Sequence, residues 1–140
     1  MIWFKEVNLQ KLNDMQQQTL VDHLDIRIDD LGDSSLTGSM PVDKRTIQPF
    51  GILHGGANCV LAETLGSIAA NLTCDPKTHH AVGLEIHTSH IKSVRSGRVT
   101  GIATAVKLGK TIQRWKIETF NEAKELTSTT ALTMMLRERL

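Results

Sequence analysis

Hydrophobic positions along the chain change period several times, and each change marks an element. Between Asn8 and Leu20, the residues Leu9, Leu12, Met15 and Leu20 recur at near-helical spacing among polar neighbours, which predicts one short amphipathic helix. From Leu24 the period drops to two, with Leu24, Ile26 and Ile28 alternating with Asp25, Arg27 and Asp29 as far as Leu31. Gly32-Asp33-Ser34 then turns the chain into a second extended run, Ser35 to Val42, the pattern of a hairpin. Asp43 to Leu53 has no period and holds Pro49 and Gly51, so it reads as a loop.

Gly55 to Leu72 is the longest apolar stretch and predicts a buried helix. After a turn at Asp75 to His80, four extended runs follow at about Ala81–Ile91, Val99–Leu108, Thr111–Phe120 and Leu126–Leu136. Arg95-Ser96-Gly97-Arg98, Gly109-Lys110 and Asn121-Glu122-Ala123-Lys124 separate them. Helix, two strands, long helix and four strands, with no repeat or linker, predict one α+β domain over residues 1–140 with a mostly antiparallel sheet.

Composition narrows the function. With 140 residues, 40% hydrophobic and 22% charged, the chain is long enough for a sizeable core. Sixteen Lys and Arg against fifteen Asp and Glu leave a formal charge of +1, so no bulk field would hold nucleic acid or an anionic membrane. Met1-Ile2-Trp3-Phe4-Lys5 has no export signature, and Glu63 and Asn58 argue against a membrane span in the long helix. A cytoplasmic protein is expected, in which the Asn71-Leu72-Thr73 sequon goes unused. Cys59 and Cys74 belong to no C-x-x-C pair and read as small reduced hydrophobes.

Glu63 is the only acidic or basic side chain between Gly55 and Leu72. Helical spacing predicts one face of Ala57, Leu61, Leu65, Ile68 and Leu72, and an opposite face of Cys59, Glu63, Gly66, Ser67 and Ala70. A helix uncharged all round is normally buried all round. The lone carboxylate is then a candidate nucleophile or general base; otherwise it is a partly solvated helix residue. Gln48, His54 and Gly55-Gly56 stand at the helix start, where unpaired N–H groups and the dipole favour a developing oxyanion. The plainer alternative is a tight entry turn that His54 caps.

Gly55 and Glu63 are eight residues apart, about 12 Å along a helix axis, too far for one small carbonyl to bridge. Donor and carboxylate are therefore expected from two chains, packed antiparallel across a twofold axis.

Gln48-Pro49-Phe50-Gly51, His54-Gly55-Gly56 and Leu61-Ala62-Glu63-Thr64-Leu65-Gly66-Ser67 together resemble the hotdog-fold acyl-CoA thioesterases. The likeness is greatest to the group that hydrolyses 1,4-dihydroxy-2-naphthoyl-CoA, in menaquinone synthesis, and to the sister group that clears misloaded aryl carrier protein. It extends from Met1-Ile2-Trp3 through Met40-Pro41-Val42-Asp43 to Val82-Gly83-Leu84-Glu85-Ile86, His90 and Leu108-Gly109. The resemblance implies a long helix wrapped by an antiparallel sheet, and a homodimer with shared sites doubled to a homotetramer.

It further implies that Glu63 attacks the thioester or activates water and that Gly55 gives its N–H to the carbonyl oxygen. Gln48 and His54 would stand near the thioester, Ser67 would position water or substrate, and His90 would lie by the acyl pocket. Coenzyme A is part of the substrate, and no resident cofactor is expected. Its phosphates call for cations, for which Lys92, Arg95 and Arg98 around one turn, and Lys107 and Lys110 around another, are candidates, with Gly109 beside Lys110 a further candidate for substrate binding.

Other chemistries fit less well. His87 and His90, three apart on a strand, point to opposite faces, and no ligand cluster has metal-site spacing. No G-x-S-x-G elbow, Walker A or dinucleotide fingerprint occurs. A non-catalytic acyl-CoA binder and a dehydratase of the same fold stay open as alternatives, and release of free thiol separates them from a thioesterase.

Overall fold

The computed structural model describes residues 1–140. Two short helices, α1 (Leu9–Asp14) and α2 (Leu20–His23), precede a hairpin of β1 (Arg27–Leu31) and β2 (Ser35–Pro41). The long helix α3 (Gly55–Leu72) follows, then β3 (His79–His90), β4 (Arg98–Leu108), β5 (Ile112–Phe120) and β6 (Leu126–Glu138). The strands form one antiparallel sheet in the order β1-β2-β4-β5-β6-β3. The expected α+β architecture, a helix wrapped by an antiparallel sheet, is present. No helix is long and apolar enough to cross a membrane.

α3 packs on the inner face of the sheet because its sheet side is built from leucines and very small residues. Leu61, Ala62, Leu65, Ala69 and Ala70 are buried against Trp115, Ile117, Leu132 and Met134. A Cβ on Gly66 would stand 2.4 Å from Leu132 Cδ2 and 3.2 Å from Ile117 Cδ1, so that position needs glycine for close approach. A polar relay ties the C-terminal end of α3 to the sheet: Trp115 Nε1 donates to Gln113 Oε1 at 2.9 Å, and Gln113 Nε2 donates to Thr73 Oγ1 at 2.8 Å.

Both sheet edges are held by an asparagine amide from a helix. Asn13 Oδ1 accepts from Ile28 N at 2.8 Å and its Nδ2 donates to Ile28 O at 2.9 Å, capping β1. Asn71 does the same for β3, accepting from Ala81 N at 2.8 Å and donating to Ala81 O at 3.1 Å. Beyond Ala81 the outer edge of β3 is open, and Val82 to Glu85 are exposed, a ready template for another strand.

Three expectations need correction. The helix drawn over Asn8 to Leu20 is two helices, broken where Gln18 takes φ 61°. Thr19 precedes α2, and the Asp22 carboxylate accepts from Gln18 N at 3.1 Å, which starts a new helix rather than continuing the old. The first strand begins at Arg27, since Asp25 turns the chain at φ 50°. Gly66 and Ala70 face the sheet, while Ala57, Ile68 and Leu72 lie half-buried at the flank. Small residues give hydropathy no strong direction, so the sequence pattern mis-set the faces by part of a turn.

Candidate active site

The loop before α3 builds one half of the site. Gln48 Oε1 accepts from Phe50 N, Gly51 takes φ 77°, and its N–H closes the turn onto Gln48 O at 2.9 Å. With its oxygen occupied, the Gln48 amide has its NH2 left to donate. His54 caps α3, its Nδ1 accepting from Gly56 N at 2.8 Å. A neutral ring then presents Nε2–H outward. The His90 imidazole, at the end of β3, lies directly over Gly55, where a Cβ would stand 2.8 Å from Nε2. A side chain at 55 would displace that ring, so glycine keeps the first helical N–H approachable.

Gln48, Gly55 and His90 line a cleft of about 280 Å³ with Ile52, Leu53 and Val94 as apolar wall, and His54 stands beside it at the helix cap rather than in its lining. On its floor Asn58 is only 3% exposed, and its Oδ1 has no hydrogen-bond partner, an uncommon state for a buried polar atom. Thr127 borders the same floor, its hydroxyl bonded to Thr119 at 2.8 Å. In the sequence Asn58 serves only as a polar residue that argues against a membrane span; its burial near Gly55 is a property of the fold.

Glu63 stands elsewhere. It is half-buried on the outer face of α3, in a separate depression with Leu20, Cys59, Val60 and Thr64. Its Oε1 lies against Gly83 of β3, at 2.6 Å from where a Cβ would be. Ser67, one turn on, lines a third cavity toward the C-terminal end of the helix. A single chain thus brings Gln48, His54, Gly55 and His90 together at one end of β3 and seats Glu63 near the other.

The cationic candidates divide. Lys92 lines the cleft, with its ammonium paired to Glu125. Arg95 is exposed in the adjoining turn. Arg98 is committed to the fold: it pairs with Asp25 Oδ2 at 3.0 Å and bonds Ser39 Oγ at 3.2 Å. Burial alone would raise the Asp25 carboxyl, but hydrogen bonds from Arg98 and Arg27 overcome it and hold the group below its ordinary value. Lys107, near the end of β4, and Gly109 and Lys110 in the β4–β5 turn lie at the opposite end of β4 from the cleft in the same chain. Gly109 there serves the turn itself, since a Cβ would stand 2.5 Å from Ile112 O.

Comparison with known proteins identifies the family and the fold. Residues 50–128 match the model of the thioesterase superfamily. The chain is 47% identical over 133 residues to the 1,4-dihydroxy-2-naphthoyl-CoA hydrolase of Escherichia coli (strain K12), covering 95% of this chain and 97% of that one. It is 47% identical over 122 residues to the proofreading thioesterase EntH of Cronobacter turicensis, covering 87% and 88%. A crystal structure of a thioesterase PA1618 variant from Pseudomonas aeruginosa superposes with a TM-score of 0.98 at 42% identity, over 99% of this chain and 100% of that one. With an α3 helix laid on a six-stranded antiparallel sheet and a match this extensive, the chain belongs to the thioesterase superfamily and has its hotdog fold.

Proposed function

We propose that the protein hydrolyses an aryl- or acyl-CoA thioester to the free acid and CoA, in a site shared by two copies of the chain. The observation that carries this reading is the layout along β3, where Gly83 seats Glu63 and His90 covers Gly55 seven residues later. The open edge of β3 suits pairing with a second β3 across a twofold axis. In an antiparallel register centred between Ile86 and His87, Gly83 of one copy stands opposite His90 of the other. Glu63 then faces the Gln48, His54 and Gly55 group of the second copy, and two equivalent sites result. Two such dimers forming a homotetramer is part of the same proposal.

In that site the Gly55 N–H and the Gln48 amide donate to the thioester oxygen, and the dipole of α3 supports the charge that develops there. Glu63 either adds to the carbonyl carbon, giving an anhydride that water opens, or takes a proton from the attacking water. Both routes form one C–O bond from water, break the C–S bond and release the thiol with a proton from that water. Ser67 holds the water or the acyl group, and the cations at Lys92 and Arg95 stand at the mouth for the CoA phosphates.

The 1,4-dihydroxy-2-naphthoyl thioester of CoA is the first substrate to test, beside benzoyl-CoA, a straight-chain acyl-CoA and an acylated aryl carrier protein, which presents the same pantetheine arm. Thiol release should occur and should fall by about 10²–10⁴ in Glu63→Ala. An unchanged rate in that variant refutes the role of Glu63. Binding of acyl-CoA without any thiol release refutes hydrolysis in favour of a non-catalytic binder.

A further inference from the structure

A cavity of about 360 Å³ lies over the C-terminal half of α3, within the range that accepts a small-molecule group. Its walls are apolar, formed by Leu12 and Met15 beside α3 and by Ile68 and Leu72 on it. Ser67 and Ile68 stand one helical turn beyond Glu63 and Thr64, so the two separate depressions follow one another along the outer face of α3. From Glu63 to Leu72 that path is about 13 Å, long enough for a two-ring acyl group.

The far end is basic. Lys5 from the N-terminal tail, His79 from the start of β3 and Arg139 from the C-terminal tail converge on it, and no acidic side chain lines the cavity. Neither Lys5 nor Arg139 enters an ion pair within the chain. The Arg139 backbone is fixed, its N–H donating to Thr78 O at 2.8 Å. Burial pushes the Cys74 thiol in the cavity wall above its ordinary value; Arg139 works against that rise and Asp75, just outside the lining, adds to it. An apolar cavity that starts one helical turn beyond the candidate carboxylate and ends at cations without an ion pair in the chain is complementary to an amphiphilic acyl group.

We infer that this cavity is the acyl pocket and that Lys5 and Arg139 select acyl groups bearing an acidic oxygen at the end remote from the thioester. This rests on the thioesterase reading and narrows its substrate class. The guanidinium fork suits a carboxylate, and Lys5 adds a second donor.

The test compares 2-naphthoyl-CoA with 6-carboxy-2-naphthoyl-CoA by kcat/KM for thiol release, in the wild type and in the Lys5→Gln/Arg139→Gln double variant. The wild type should favour the carboxylated thioester by about tenfold, the effect of two partly solvated charge contacts. The double variant should bring that ratio to near one by lowering kcat/KM for the carboxylated thioester. In parallel, free 2,6-naphthalenedicarboxylate should protect Cys74 from iodoacetamide in the wild type and not in the double variant, read residue by residue by mass spectrometry. Turnover of both thioesters with a wild-type ratio near one, or a ratio that the double variant leaves within twofold, overturns the inference alone. No turnover of either overturns the hydrolase reading and the inference with it.

Discussion

Gly83→Ala separates the chemistry of Glu63 from the stability of the fold. The Gly83 backbone has no positive φ, so alanine enters β3 without strain and gains about 0.5–1 kcal/mol over glycine in conformational entropy. Its Cβ would stand 2.6 Å from Glu63 Oε1, with the next atom, Glu63 Cδ, at 3.6 Å. To restore an ordinary contact of about 3.4 Å the carboxylate must withdraw by nearly 1 Å, and a misplacement of that size costs roughly 10²-fold in rate. Stopped-time thiol release gives kcat, thermal unfolding gives Tm, and sedimentation gives the assembly state. The expected result is a fall in kcat near 10²-fold with Tm equal or higher and the mass unchanged. A kcat within threefold of wild type, in a protein of unchanged mass, refutes the assignment of Glu63 as the reacting carboxylate.

Two further substitutions test the packing and the electrostatics. Gly66→Ala would raise helix propensity by about 1 kcal/mol, yet its Cβ meets Leu132 Cδ2 at 2.4 Å; overpacking should win and lower stability by about 1–3 kcal/mol in urea unfolding, and a net gain would show that α3 does not sit this close to the sheet. For Asp25, whose carboxyl lies below its ordinary 3.8, the charged form is favoured by the fold, so its contribution is complete above the unfolded value and is lost as pH falls through the folded one. Asp25→Asn keeps a residue that tolerates φ 50°, should cost about 1 kcal/mol at neutral pH, and should flatten the loss of stability below about pH 4; an identical acid limb in both proteins would contradict the role of the Arg98 pair.

The sequence located α3 and the four C-terminal strands to within a few residues: β4 and β5 alternate between buried and more exposed positions, while β3 and β6, which do not alternate cleanly, were bounded by their turn residues. Helix rise alone separates Glu63 and Gly55 by about 12 Å along one chain, which is the ground for the proposed shared site. What the sequence could not show arises from long-range packing. Gly66 and Ala70 turn to the sheet because small side chains allow closeness there, which hydropathy does not encode. Asn13 and Asn71 read as ordinary helix polar residues, yet each closes a sheet edge. Thr19 with Asp22 was a visible start signal inside the supposed first helix and explains its break. The basic end of the C-terminal cavity draws Lys5, His79 and Arg139 from three distant segments, and no local pattern joins them.

Mixing two inactive variants tests the shared site most directly. Glu63→Ala and Gln48→Ala damage opposite halves, so after unfolding together and refolding, half of the dimers are mixed and each mixed dimer holds one intact site of two. Thiol release from the mixture should recover to about a quarter of the wild-type rate, while each variant refolded alone stays inactive. A mixture no more active than its components would place Gln48 and Glu63 in the same chain's site and contradict the account.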